Sequence, residues 1–148
     1  MNKVVLPNEI LLGEVSKMLR EGHQVVIMTK GNSMLPFIRG DKDSVNLELR
    51  QDVQPGDIVL ALLKPGHYVL HRVASRQGDR LILHGDGNLR GNEECSVGDV
   101  VGTAISIIRP SGRTRDCTTR ASKRAAALWN GLPLLARRVY LAINRRLR

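Results

Sequence analysis

Residues 55–88 read PGDIVLALLKPGHYVLHRVASRQGDRLILHGDGN. Pro55-Gly56-Asp57, Lys64-Pro65-Gly66, Gln77-Gly78-Asp79 and Gly85-Asp86-Gly87-Asn88 are turn formers. Between them stand three short stretches rich in Val, Ile and Leu: Ile58 to Leu63, His67 to Ser75 and Arg80 to His84. Short strands separated by Gly, Pro and Asp predict an all-β barrel or sandwich rather than a parallel sheet.

The same pattern extends outward. Downstream, Gly98-Asp99 leads into a strand candidate from Val100 to Ile108, and upstream Gln24 to Thr29 and Ser44 to Leu49 are two more. Ahead of these, Asn8 to Glu21 reads as a helix, with Leu11, Val15, Met18 and Leu19 at helical spacing, Asn8 as cap and Gly22 as stop. The end of the chain changes character. Ser122 to Asn130 reads as helical, Gly131-Leu132-Pro133 interrupts, and Leu134 to Arg148 is helical again. There Ala136, Val139, Tyr140, Ile143 and Leu147 share one face, with Arg137, Arg138, Arg145 and Arg148 largely opposite. This organises the chain as a helix and first strand (1–29) belonging to a single domain, a β core (30–110) and a basic amphipathic helical tail (111–148).

A length of 148 residues suits one domain, and aromatics at 3% leave the core to aliphatic side chains. Charge is unevenly placed. Residues 1–108 hold 12 Lys and Arg against 13 Asp and Glu, whereas residues 109–148 hold 11 against one. The basic character therefore belongs to the tail, and the body is neutral. Cys95 and Cys117 have no metal-type spacing and are too sparse for a disulfide framework, which favours a reduced, cytoplasmic protein. No signal peptide and no run of about 18 apolar residues is visible.

Three residues in the β-rich body have chemistry to offer. Ser33 sits in Gly31-Asn32-Ser33-Met34-Leu35-Pro36, a turn-rich segment that can hold a hydroxyl at a fixed angle. By strand alternation His71 shares a face with Val69 and Val73 and should point inward. Asp86 closes the next strand. A serine hydroxyl needs a base to become a nucleophile, histidine is such a base near neutral pH, and an acid can fix its tautomer. Taken singly, each residue also has an ordinary reading, as turn serine, core histidine or turn aspartate.

Taken together, the segments resemble a known family. Gly31-Asn32-Ser33-Met34-Leu35-Pro36, followed by Gly40-Asp41, is similar to the Gly-x-Ser-Met-x-Pro…Gly-Asp box of signal peptidases and SOS-repressor autoproteases. Pro55-Gly56-Asp57-Ile58-Val59, His71-Arg72-Val73 and Gly85-Asp86-Gly87-Asn88 resemble the boxes that follow, and Asp99-Val100-Val101-Gly102 resembles the closing strand. The likeness runs from about Lys30 to Ile108. It implies a mainly β fold: a β-barrel-type catalytic core of the signal-peptidase and SOS-repressor kind, with an N-terminal helix and C-terminal helices. His71 stands where the main bacterial enzymes place a lysine, so the resemblance is to the Ser–His branch found in the endoplasmic reticulum and in archaea.

That branch implies Ser33 as nucleophile, His71 as base and Asp86 as supporting acid. It also implies the Ser33 N–H, and the Asn32 side chain, as oxyanion donors, with Met34 and Pro36 beside the substrate. The second aspartate of the branch is missing. Its neighbourhood is Gly91-Asn92-Glu93-Glu94, so either Glu93 substitutes or the dyad works without it. The implied activity is serine endopeptidase cleavage of a precursor, leader or signal-type peptide, with no cofactor and no metal. The alternatives are a catalytically inactive peptide-binding module of the same fold and a regulator driven by its tail. The expected partner is a peptide or protein substrate, with residues 120–148 offering a peripheral membrane contact. Nucleic acid is disfavoured: Trp129 and Tyr140 are the only tail aromatics, and about 30 residues before Ser33 are too few for a helix-turn-helix domain.

Overall fold

The computed structural model describes residues 3–4, 8–88 and 91–146. The strands, in chain order, are β1 (Lys3–Val4), β2 (Val25–Met28), β3 (Ser44–Glu48), β4 (Ile58–Lys64), β5 (His67–Gln77), β6 (Arg80–His84), β7 (Glu93–Ser96), β8 (Val100–Ile108) and β9 (Thr114–Asp116). The helices are α1 (Asn8–Arg20), α2 (Arg120–Asn130) and α3 (Leu134–Arg146). The fold is mainly β, with the N-terminal and C-terminal helices that the patterning predicts.

The strands form one sheet in the order β1-β2-β3-β8-β4-β5-β6-β7, with β9 beside β8. All pairings are antiparallel except β1 on β2. The expected barrel is not there: the sheet stays open. Its edges explain why, since β1 has two residues and β7 four, and β7 carries an exposed Glu94. Short, charged edges offer little to pair with. The long β8 organises the middle. One of its edges takes β3, while the other takes β4 along Val100–Thr103 and β9 along Ser106–Ile108.

The sheet buries two aliphatic clusters. Val15 and Leu19 of α1 pack with Val25, Ile27, Val45, Leu47, Ile58 and Ile107. Val59, Val73, Leu81, Leu83 and Val100 form the second cluster, between β4, β5, β6 and β8. Alternation explains Val73 and His71 on one face, but His71, Arg72 and Val73 are all buried in succession. Both faces of β5 are covered at this point, so period-two patterning does not read out which face is solvated.

The segment from residue 111 onward does not behave as an appendage. β9 is part of the sheet, and Trp129 of α2 and Leu141 of α3 form a third buried cluster with Leu35. Trp129 and Tyr140 meet edge to face at 5.3 Å between ring centroids. Lys123 reaches Asp57 at 3.0 Å, tying α2 to the turn before β4. The apolar side of α3 expected to seek a surface is outermost, with Val139, Tyr140 and Ile143 exposed; Leu147 and Arg148 of that face pattern lie outside the described residues. No helix among the described residues is long and apolar enough to cross a membrane.

Candidate functional site

Ser33 lies in the non-regular segment between β2 and β3, as its Gly and Pro neighbours predict. The Leu35–Pro36 peptide is cis. Leu35 N–H donates to the Asn32 carbonyl at 3.2 Å, and Phe37 and Ile38 N–H both donate to Met34 at 3.0 Å. A buried carboxylate clamps the far end of this segment. Asp43 is fully buried and accepts from Arg39 N–H at 2.7 Å and from Arg109 Nη1 at 2.6 Å. Arg109 Nη1 also donates to the Phe37 carbonyl at 2.9 Å, so the residue that follows β8 holds the Ser33 segment. Nothing in the spacing of Arg39, Asp43 and Arg109 announces this clamp, because Arg109 arrives from 66 residues away.

The Ser33 segment is pressed against the loop that follows β6. Gly87 N–H donates to the Ser33 carbonyl at 2.8 Å. A Cβ on Gly85 would collide with that same carbonyl, and a Cβ on Gly87 with the carbonyl of Asn32. Only glycine lets the two backbones approach this closely. Gly87→Ala is therefore expected to destabilise the fold by about 1–3 kcal/mol, since backbone cannot yield as a flexible side chain would. A denaturant melt reads this directly; an unchanged midpoint would mean that the two loops separate without cost.

His71 enters from β5 and is 6% exposed. Register brings it close to the same loop. Arg72, the next residue of β5, pairs with His84, the last residue of β6, and the glycine loop begins at the residue after it, Gly85. His71 Nδ1 is hydrogen-bonded to Glu93 Oε1, from the start of β7. The carboxylate engages Nδ1, and Nε2 is the ring nitrogen that Glu93 does not occupy. Among the described residues, Ser33 Oγ makes no hydrogen bond to His71; such contacts are often long until substrate arrives.

Asp86 is not beside His71 in the way the resemblance implies. It is fully buried and grips Arg72: Nε donates to Oδ1 at 2.9 Å and Nη2 to Oδ2 at 2.7 Å. Asn130 Nδ2 donates to Oδ1 at 3.1 Å, and Trp129 Nε1 donates to the Asp86 carbonyl at 2.7 Å. Arg72 in turn donates to the Gly56 carbonyl at 2.8 Å and lies 5.4 Å above the Phe37 ring. The bidentate fork absorbs both carboxylate oxygens. The carboxylate hydrogen-bonded to the histidine is Glu93, and the carboxylate of the Gly-Asp-Gly turn is paired with Arg72.

Met34 also departs from expectation. Its side chain is 4% exposed and packs into the α1-side cluster, so it has no surface to offer a substrate. Pro36 is partly exposed, and Asn32 is exposed at the rim.

Neither cysteine competes for the role of nucleophile. Burial is the main influence pushing the thiols of Cys95 and Cys117 each up to about 11. At pH 8 both are then protonated and inert. A disulfide-exchange reagent is expected to leave the native chain unlabelled at pH 8 and to titrate both thiols in denaturant; fast labelling of the native chain would contradict this burial. Among the described residues, no group of three or more His, Cys, Asp or Glu side chains is arranged to hold a metal ion.

Comparison of the chain with protein-family models and with curated proteins finds no match to either.

Proposed function

We propose that this chain is a serine endopeptidase acting on an extended precursor, leader or signal-type peptide, with Ser33 as nucleophile, His71 as base and Glu93 as the acid that orients the base. The observation that carries the reading is the pairing of a buried His71 Nδ1 with Glu93, next to a loop whose glycines press on the Ser33 backbone.

The chemistry follows the acyl-enzyme route. Ser33 Oγ attacks the scissile carbonyl while its proton passes to His71 Nε2. The imidazolium that forms is stabilised by Glu93. The oxyanion is received by the Ser33 N–H. His71 then gives the proton to the leaving amine, and a water deprotonated by the same nitrogen hydrolyses the ester. The Arg72–Asp86 pair stands one residue along β5 and holds the strand, the glycine loop and α2 in register without taking part in proton transfer. We place this activity in the cytoplasm, on a peptide presented in trans.

Incubation with a diverse peptide library, read by mass spectrometry, tests the reading. Wild-type protein is expected to generate a consistent set of internal cuts that disappear in Ser33→Ala. Cuts that persist in Ser33→Ala, or an inert but folded wild type that retains bound peptides, would replace the peptidase with a peptide-binding module of the same fold.

A further inference from the structure

An open cavity of about 700 Å³ is lined by α2, by Arg137 of α3, by the turn before β4 and by residues of β5 and β6. Neither Ser33, His71 nor Glu93 lines it. Its ionisable lining is Arg72, His84, Arg120, Lys123, Arg124 and Arg137, with no Asp or Glu, and the remaining wall includes Pro55, Val73, Ala126 and Ala127. Two of these cations are already neutralised, Arg72 by Asp86 and Lys123 by Asp57. Among the described residues no carboxylate pairs with Arg120, Arg124 or Arg137. Moreover, Arg137 Nε is shielded from solvent and has no hydrogen-bond acceptor.

A buried guanidinium nitrogen without an acceptor is costly, and folded proteins rarely leave one so. Arg120 and Arg124 are exposed and Arg137 is half-buried, so three guanidiniums line one open cavity without a carboxylate, an arrangement that attracts anions. The volume is that of a small-molecule site, with a mostly apolar wall and a few convergent polar groups. The planar forks of arginine suit oxygens arranged around a phosphorus, and several cations call for more than one negative charge.

We propose that this cavity is a binding site for a small phosphorylated molecule, whose phosphoryl oxygens are held by Arg120, Arg124 and Arg137 and whose apolar part rests on Val73, Ala126 and Ala127. The site is separate from the Ser33–His71 pair and does not depend on peptidase activity.

Titration calorimetry with inorganic pyrophosphate, orthophosphate and citrate, at constant ionic strength in chloride buffer, tests this. The full-length protein is expected to bind one pyrophosphate saturably, with orthophosphate weaker and citrate weaker than pyrophosphate. An Arg124→Gln, Arg137→Gln double variant is expected to weaken pyrophosphate binding by roughly tenfold or more. Arg138→Gln, an exposed arginine outside the cavity, and Ser33→Ala are expected to leave it unchanged. Absence of saturable binding to the wild type would overturn the proposal. So would equal weakening by Arg138→Gln, which marks diffuse attraction to a basic surface, or tighter binding of citrate than of pyrophosphate, which would assign the cavity to polycarboxylates.

Discussion

Asp86→Ala is expected to lower stability by about 3–5 kcal/mol, which for a chain of this size shifts the melting midpoint by roughly 6–20 °C. The cause is not loss of an attraction alone. Removing Asp86 leaves the Arg72 guanidinium, on a side chain only 9% exposed, with its Nε and Nη2 donors unanswered. It also deprives Asn130 of its acceptor on that carboxylate. The compensating change is informative. An Arg72→Met, Asp86→Leu double variant replaces the pair by apolar side chains, and is expected to recover most of the lost stability. If Asp86 served the histidine instead, Asp86→Ala would leave the melt near wild type and remove activity. Thermal unfolding of the two variants separates a structural counter-ion from a catalytic acid.

The second large effect falls on activity with the fold intact. Glu93→Gln is expected to lower kcat/KM by about 10²–10⁴-fold, because the amide no longer supports the imidazolium and can hold the wrong tautomer. His71→Ala is expected to cause a comparable or greater loss, and combining the two should add little, since they act as one unit. Glu93 lies at the start of edge strand β7 with its side chain 26% exposed, so Glu93→Gln should leave the melt within about 1 kcal/mol of wild type. Kinetics on a cleaved library peptide read both variants. Full activity in Glu93→Gln would show that the histidine works unaided.

These two carboxylates also show where sequence reading succeeds and where it stops. The order of turns and aliphatic runs between residues 55 and 88 was enough to predict β4, β5 and β6, because turn chemistry is local. The inward direction of His71 was legible for the same reason: alternation depends only on neighbours along the strand. What Asp86 and Glu93 touch was not legible. Asp86 is 14 residues from Arg72 and Glu93 is 22 from His71, and the choice between them is made by how β6 and β7 pair. Openness of the sheet was hidden likewise, since closure depends on the edge strands meeting and each strand signal is silent about its partner.

The tail carries the clearest lesson. Its charge bias and helical period were readable, yet its role as a wall was not. Trp129 bonds to the Asp86 carbonyl and packs on Leu35, two residues beyond Ser33, across a sequence gap no local pattern spans. The unpaired Arg120 and Arg124 sit on this same helix, exposed along the cavity, so part of the basic composition that pointed toward a membrane surface lines that cavity.

The central claim is an activated Ser33. It is tested most directly by labelling the folded protein with a fluorophosphonate, alongside a β-lactone and a peptide aldehyde, and mapping the modified residue by mass spectrometry. Covalent labelling of Ser33 in wild type, lost in both Ser33→Ala and His71→Ala, is the result expected. A folded wild type that none of the three reagents modifies, or labelling that survives Ser33→Ala, would contradict it.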